Sequence, residues 1–338
     1  MRLAAFDVGT NSTRLLVADV DDGRISEQFD REMIITRLGK GVDANRRFDP
    51  GALRRTLEVL GEYAATCDRF GVGPQRRRLV ATSATRDVAN REEFLDGVRR
   101  LVGVEAEVLT GEQEAAASYL GATGDLDGDA RTLVVDIGGG STEFIVGNRD
   151  PEAAISLEIG CVRLFERHLH SDPPTADQVA ALRADVREHL ERVQTVFDPS
   201  SATRVVGVAG TVTTVAALTL DLDHYDPERI HHAVLEAPRI AATARRLCRL
   251  TIAQRAALPV MAPGREDVIA AGALVLDEIC RTFRFARVVA SETDILDGVL
   301  LELARNRSPA RDRSPGGPGA ARAQGSDGSA RTDRGGRG

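Results

Sequence analysis

Two short segments of the chain place an aspartate, small residues and hydroxyl groups in the same order. Residues 6–17 read FDVGTNSTRLLV, and residues 135–146 read VDIGGGSTEFIV. An overlay at a constant offset aligns an aspartate, a glycine, a serine and a threonine: Asp7 with Asp136, Gly9 with Gly138, Ser12 with Ser141, and Thr13 with Thr142. An internal repeat of this kind predicts a duplicated structural unit.

Each copy reads as a strand, a short polar turn and a second strand. Backbone N–H groups in such a turn, with hydroxyls beside them, form a site for phosphate oxygens. Glycine suits the turn because a Cβ would block close approach and the φ values that the turn needs. The sequence therefore predicts phosphate-binding residues in both turns: Gly9, Thr10, Asn11 and Ser12 in the first, and Gly138, Gly139, Gly140, Ser141 and Thr142 in the second.

The aspartates of the two copies are candidate metal ligands. Asp7 and Asp136 end the first strand of each copy and would point into one cleft. Mg²⁺ prefers a few carboxylates together with water and phosphate oxygens, so this pair suits it.

A third segment, GVAGTVTT at residues 207–214, reads as a strand, then Gly210 and Thr211, then a helix. A helix that begins after glycine offers another anion site, although a plain strand–helix turn reads the same way.

Strands and helices alternate along most of the chain, which favours an α/β fold. Asp49 and Pro50 predict a helix start, as do Thr110 with Gln113 and the N-x-x-E pattern at Asn90. A polar break at residues 125–130 predicts a hinge. We therefore expect domains at residues 1–124 and 125–305, followed by a disordered tail at residues 306–338.

Composition limits the partners. The net charge of −7 provides no global basic field, so we expect no nucleic-acid partner. Four cysteines without C-x-x-C spacing predict reduced thiols in a cytoplasmic protein. No apolar run is long enough to cross a bilayer, so we expect no membrane partner. The pairs His168-x-His170 and His231-His232 suggest metal, but surface or packing roles are favoured.

Seven blocks, in order, resemble the exopolyphosphatase/guanosine pentaphosphate phosphohydrolase (Ppx/GppA) family, in a short form without its C-terminal helical region. The blocks are DVGTNSTRLLV (7–17), ATSATRDVANREEF (81–94), GEQEAAASYLG (111–121), VVDIGGGSTEF (134–144), GCVRL (160–164), GVAGTVTT (207–214) and DILDGVL (294–300). The resemblance implies two actin-like domains of the ASKHA, ribonuclease H-like type, with the site in the cleft between them. It also implies Mg²⁺-dependent release of terminal phosphate from a phosphoanhydride chain.

Residue roles follow from matching positions. The resemblance implies that Glu114 is the catalytic carboxylate, that Asp136 and Glu143 are essential acidic residues, that Gly138 is an essential glycine and that Arg86 meets phosphate. We expect Glu114 to take a proton from the attacking water, and Asp7, Asp136 and Glu143 to hold the metal. The dipole of the helix that follows Thr110 would favour an ionised Glu114. Gln113 stands where many members have a second glutamate.

Three alternatives stay open from sequence. The first is hydrolysis of the 5′-terminal phosphate of guanosine pentaphosphate (pppGpp). The second is a kinase of the same superfold. The third is a non-catalytic regulator that binds polyphosphate or an alarmone. A homodimer is implied by the resemblance.

Overall fold

Two mixed β-sheets with helices packed on their faces form the molecule in the computed structural model, which describes residues 1–86, 88–126 and 128–307. The strands are β1 (Arg2–Val8), β2 (Ser12–Asp21), β3 (Arg24–Ile35), β4 (Arg77–Ala81), β5 (Ala106–Val108), β6 (Thr132–Ile137), β7 (Thr142–Gly147), β8 (Pro151–Leu157), β9 (Arg204–Val208), β10 (Val234–Glu236) and β11 (Arg287–Ala290). The predicted tail lies outside the described residues from residue 308 onward.

The helices alternate with these strands as the sequence predicts. They are α1 (Val42–Asn45), α2 (Pro50–Arg69), α3 (Ser83–Arg86), α4 (Arg91–Val102), α5 (Gly111–Thr123), α6 (Cys161–His168), α7 (Ala176–Val196), α8 (Ala209–Thr219), α9 (Pro227–Ile230), α10 (Ala237–Arg249), α11 (Ile252–Ala256), α12 (Ile269–Phe283) and α13 (Ile295–Arg307).

The two sheets share one topology. The first has the order β3-β2-β1-β4-β5, and the second has β8-β7-β6-β9-β11 with β10 added at the edge. In each, three strands form an antiparallel meander and the next two are parallel to the first. The registers also correspond, because Asp7 lies opposite Arg14 in one hairpin and Asp136 lies opposite Glu143 in the other. The structure therefore confirms the duplicated unit.

The predicted helix starts at Asp49, Asn90 and Thr110 are confirmed. The Asp49 side chain accepts a hydrogen bond from the Ala52 N–H with Pro50 at the first helical position, and Thr110 and Gln113 form a capping box at α5. Asn90 occupies the N-cap position of α4, as predicted, but it makes no capping hydrogen bond. Its side chain makes no bond to α4 and instead accepts from the Phe48 N–H, because a buried backbone donor there competes for it.

Helix α5 follows the first sheet in the chain but packs on the second, and helix α13 follows the second sheet but packs on the first. Ala115 and Tyr119 of α5 pack on the second sheet, although α5 precedes that sheet in the chain. Leu296 and Val299 of α13 pack on the first sheet, although α13 ends the described chain. The domain boundary between residues 124 and 125 stays a prediction. Helix α5 lies before this boundary in the chain but packs on the sheet that follows it.

The crossing of α5 and α13 is close enough to require glycine. A Cβ on Gly121 would lie 1.7 Å from the Asp294 carbonyl oxygen, and one on Gly298 would lie 1.9 Å from the Ala117 carbonyl oxygen. The backbones of the two helices are therefore in direct contact.

The two largest apolar clusters each pack one sheet against helices other than α5 and α13. One apolar cluster joins the first sheet to α2 and α4, and a larger one joins the second sheet to α6, α7, α8, α10 and α12. All four cysteines are free thiols, as predicted, and three of them are buried. Among the described helices, none has the length and apolar character needed to cross a bilayer.

Candidate active site

A cleft of about 500 Å³ opens where the two hairpin turns and the starts of α5 and α8 converge. Most of the predicted site residues line it: Asp7, Gly9, Thr10, Asn11, Ser12, Glu114, Asp136, Gly138, Gly139, Gly140, Ser141, Gly210 and Thr211. Arg86, Thr142 and Glu143 lie behind this wall. The Thr142 hydroxyl donates to the buried Ile159 carbonyl, an arrangement that positions the turn.

The two predicted turns have the same internal hydrogen bond. The Gly9 N–H donates to the Ser12 carbonyl at 2.9 Å, and the Gly138 N–H donates to the Ser141 carbonyl at 3.0 Å. The repeat found in the sequence therefore extends to the backbone of the turns.

The turns also touch each other. A Cβ on Gly139 would lie 3.0 Å from the Thr10 Cβ, and one on Gly140 would lie 2.7 Å from the Thr10 and Ser83 hydroxyls. Close approach is thus one reason for these glycines. The expected unusual φ values are wrong, because none of the turn glycines in either copy has a positive φ.

The third predicted segment reaches the same cleft. Gly210 and Thr211 open α8 and line the wall beside Arg265. The Arg265 guanidinium donates to the Gly210 carbonyl at 2.6 Å and to the Thr214 hydroxyl at 2.7 Å. Ala209, which precedes Gly210 in the chain, has a φ of 68°, a strained value for a residue with a Cβ.

Four carboxyl groups gather at one end of the cleft. Glu114 is only 8% exposed and accepts a hydrogen bond from Arg86 Nη2 at 2.6 Å. Asp136 accepts from the Ser118 hydroxyl at 2.6 Å, and Glu143 accepts from Ser156 at the same distance. The fourth, Asp7, lies 3.6 Å from Arg14.

Burial of like charges raises the pKa of each carboxyl. Burial, opposed by Arg14, raises the pKa of Asp7 to about 7. Burial likewise raises the pKa of Asp136 to about 6, and burial with the nearby Asp136 charge raises that of Glu143 to about 7. Burial and the Glu143 charge raise the pKa of Glu114 well above its usual range, despite Arg86.

This result changes the expectation for Glu114. The residue does lie in the first turn of α5, where the helix dipole favours a carboxylate. Desolvation and the neighbouring carboxyl groups instead raise its pKa. A carboxylate with a raised pKa is the stronger base, which suits proton abstraction near neutral pH.

The donor set fits a divalent cation. Within the described residues, the Asp7 Oδ1 atom is buried and has no hydrogen-bond partner, and the same is true of the Thr10 hydroxyl and the side-chain amide oxygen (Oδ1) of Asn11. Oxygen donors of this kind are the ligands that Mg²⁺ prefers. No three of the four carboxyl groups place their oxygens all within 4.8 Å of one another in the described chain, an arrangement that leaves room for water ligands.

Several charged residues of the cleft were not predicted from the sequence. Arg14 pairs with Asp7 and Asp294, and Arg31 pairs with Asp294 and Asp297. Arg14 could have been found, because the overlay of the two segments aligns it with Glu143. Asp294 opens the DILDGVL block, but that block does not indicate its partners, because Asp294 reaches the cleft from the start of α13, far along the chain.

Arg265 is the other cleft residue without a sequence signal. It is buried, it lines the cleft, and among the described residues no carboxylate lies within ion-pair distance of it. Burial lowers the pKa of its guanidinium. A buried cation without a counter-ion is a candidate ligand for an anion.

Two duplicated α/β sheets whose glycine turns meet in one cleft define a two-domain, actin-like protein. The chain belongs to the Ppx/GppA phosphatase family, whose model matches residues 16–307.

Among curated proteins, the chain is similar to Exopolyphosphatase 2 of Mycobacterium tuberculosis, with 44% identity over 316 residues, 90% of this chain and 98% of the relative. Among solved structures, an exopolyphosphatase-like protein has a TM-score of 0.86 and 37% identity over 90% of this chain and 99% of its own. An Aquifex aeolicus family member has a TM-score of 0.77 and 33% identity over 92% and 99%.

Proposed function

We propose that the protein is an exopolyphosphatase that hydrolyses the terminal phosphate of inorganic polyphosphate with the help of a divalent cation, in the first instance Mg²⁺. The observation that carries the proposal is the contact between the two glycine turns beside a buried Glu114. The 44% identity to Exopolyphosphatase 2 supports the choice of substrate.

The turns and the arginines would bind the phosphate chain. Residues of both turns line one cleft, and a phosphate there would satisfy the Thr10 hydroxyl and complement the Arg265 charge. Because phosphoryl transfer needs little covalent chemistry from the protein, positioning and charge neutralisation supply most of the catalysis.

Glu114 would accept the proton of the attacking water. Arg86 holds the carboxylate in one orientation through its 2.6 Å hydrogen bond. Asp7, Asp136 and Glu143 would hold the cation largely through water ligands, and its positive charge would neutralise phosphate oxygens and lower the pKa of the surrounding carboxyl groups. The site-residue roles and a homodimer stay predictions.

Phosphate release from polyphosphates of graded length, with and without Mg²⁺, tests the proposal. We expect Mg²⁺-dependent release with no acceptor molecule present, which a kinase would not give. Parallel kinetics on pppGpp measure the competing hydrolase activity. Tight binding of polyphosphate without any turnover in Mg²⁺ would replace the proposal with that of a binding protein.

Replacement of Arg265 by glutamine should raise the KM for polyphosphate by about tenfold or more and change kcat less, because the lost charge binds ground state and transition state alike. The fold should persist, since the variant removes a buried cation that has no ion-pair partner in the described chain. Arg37→Gln is the control, because Arg37 pairs with Asp267 and lies outside the cleft wall. Equal KM values for Arg265→Gln and the wild type would remove Arg265 from substrate binding.

The free energy of unfolding should depend on pH, because the carboxyl groups of the cleft have higher pKa values in the folded state than in the unfolded state. Asp7, Asp136 and Glu143 have folded-state pKa values of about 7, 6 and 7, above their ordinary values of 3.8, 3.8 and 4.5. The folded state therefore binds more protons than the unfolded state between these limits. The stability these groups contribute is complete below about pH 4 and is lost as the pH rises through about 7.

A bound cation would offset this loss, so Mg²⁺ should raise Tm more at about pH 8 than at about pH 5. Thermal unfolding in chelator and in Mg²⁺ at both pH values measures the difference. An equal gain at the two pH values would argue against cation binding by these carboxylates.

A further inference from the structure

A second group of metal-ligating side chains lies outside the cleft, where the end of α5 meets the segment after α9. Asp125, His231 and His232 bring one potential ligand atom each to within 4.8 Å of the others, the only such group of three within the described residues. His231 Nε2 lies 2.7 Å from Asp125 Oδ2, and His232 Nε2 lies 3.7 Å from Asp125 Oδ1. The sequence favoured surface or packing roles for these histidines because Asp125 is remote in the chain.

The backbone holds the two histidines in place. The His231 N–H donates to the Pro227 carbonyl at 2.9 Å, and the His232 N–H donates to the Ala290 carbonyl at 2.8 Å. His232 has a φ of 63°, in the left-handed region. The two imidazole rings stack with centroids 3.8 Å apart, so both rings present a nitrogen to Asp125.

We propose that Asp125, His231 and His232 form a binding site for a zinc-class divalent transition cation. Two imidazole nitrogens and one carboxylate oxygen are a ligand set that Zn²⁺ and its neighbours favour, with solvent completing the coordination. The side chains are 39%, 26% and 41% exposed, so a cation can reach them from solvent. Mg²⁺ prefers oxygen ligands and would not compete well.

Cation binding would replace the hydrogen bond between His231 and Asp125 with bonds from both side chains to the metal. Ligands around tetrahedral Zn²⁺ at about 2.0–2.1 Å lie roughly 3.3 Å apart, so His231 Nε2 and Asp125 Oδ2 must separate by about half an ångström. The Glu292 N–H donates to His231 Nδ1 at 3.2 Å, which places the ring proton on Nε2, facing Asp125. When the cation takes the Nε2 lone pair, that proton moves to Nδ1.

This proton shift would affect Glu292, a residue that lines the cleft. A proton on His231 Nδ1 faces the Glu292 N–H, so that hydrogen bond is lost on binding. The Glu292 side chain lines the cleft and accepts a hydrogen bond from Tyr225 at 2.6 Å. Occupancy of the histidine site would therefore remove one of the hydrogen bonds that position Glu292 in the cleft wall.

Calorimetric titration of the full chain with Zn²⁺, in saturating Mg²⁺ to occupy the carboxylate cluster, tests the proposal. We expect one site per chain that His231→Ala and His232→Ala each weaken by about tenfold or more. Titration with Co²⁺ supplies a second readout, because imidazole ligation produces a visible absorption band. The matched control is His168→Ala, since His168 also lies 2.6 Å from a carboxylate, that of Asp185, but belongs to no group of three.

Retention of the Zn²⁺ site in both His231→Ala and His232→Ala would overturn the proposal, as would an equal loss in His168→Ala. Circular dichroism and thermal unfolding establish that each variant is folded. If a histidine variant fails to fold, Asp125→Asn supplies the same test, because it keeps the shape of the side chain and weakens its metal bond. None of these measurements depends on polyphosphate hydrolysis.

Discussion

Replacement of Glu114 by glutamine is expected to lower kcat for phosphate release by a factor of about 10² to 10⁴, the usual contribution of a general base. Glutamine keeps the size and the hydrogen-bonding oxygen that Arg86 contacts, but it cannot accept a proton. Folding should not suffer, because the change removes one of four crowded carboxyl groups whose pKa values are raised. Steady-state kinetics together with binding of polyphosphate to the variant separate the chemical step from affinity.

Glu112→Gln is the matched control. Glu112 lies in the same first turn of α5 but is exposed, so its replacement should change kcat little. Turnover of Glu114→Gln close to that of Glu112→Gln would show that Glu114 is not the base. Loss of activity in both variants by the same factor would point to the helix dipole instead of proton transfer.

Gly298→Ala should cost about 2 kcal/mol or more of unfolding free energy and should also reduce kcat. The new Cβ would lie 1.9 Å from the Ala117 carbonyl oxygen, so α5 and α13 must move apart by more than an ångström. Because α5 begins with the turn that carries Glu114, that movement would misplace the base, and an error of this size can cost about 10² in rate. Denaturant unfolding and kcat measure the two effects.

Gly61→Ala is the control for glycine replacement in a helix. Gly61 lies inside α2, and its Cβ would meet only Leu101 at 3.9 Å. This variant should gain about 0.5–1 kcal/mol, because alanine has the higher helix propensity and no clash opposes it. A gain for Gly298→Ala of similar size would contradict the close crossing of α5 and α13.

The sequence was sufficient for the features that depend on local chemistry. The repeat predicted both hairpins, and the Asp49 and Thr110 caps predicted two helix starts, since each relies on residues a few positions apart. The helix start at Asn90 was also predicted, but its side chain makes no capping hydrogen bond because a tertiary partner, the Phe48 N–H, competes for it. Tertiary competition of this kind cannot be read from spacing.

Contacts between residues that are far apart in the chain could not be predicted from the sequence. Arg265 enters the cleft without a counter-charge, and Asp294 pairs with Arg14 across some 280 positions. Arg265 has no motif in the pattern around it, and the DILDGVL block that begins at Asp294 does not indicate that Arg14 is its partner. The upward pKa shift of Glu114 likewise depends on burial among Asp7, Asp136 and Glu143, which only the folded chain brings about.

The register of the two hairpins would affect the direction in which a polyphosphate chain binds in the cleft. A linear polyphosphate looks the same from either end, and two identical half-sites would bind it equally well in both senses. Arg14 in one half occupies the position that Glu143 occupies in the other, so the pseudo-symmetry is broken by a reversal of charge. A bound polyanion would therefore meet two halves that differ in charge, and this asymmetry would decide at which side of the cleft the cleaved end lies.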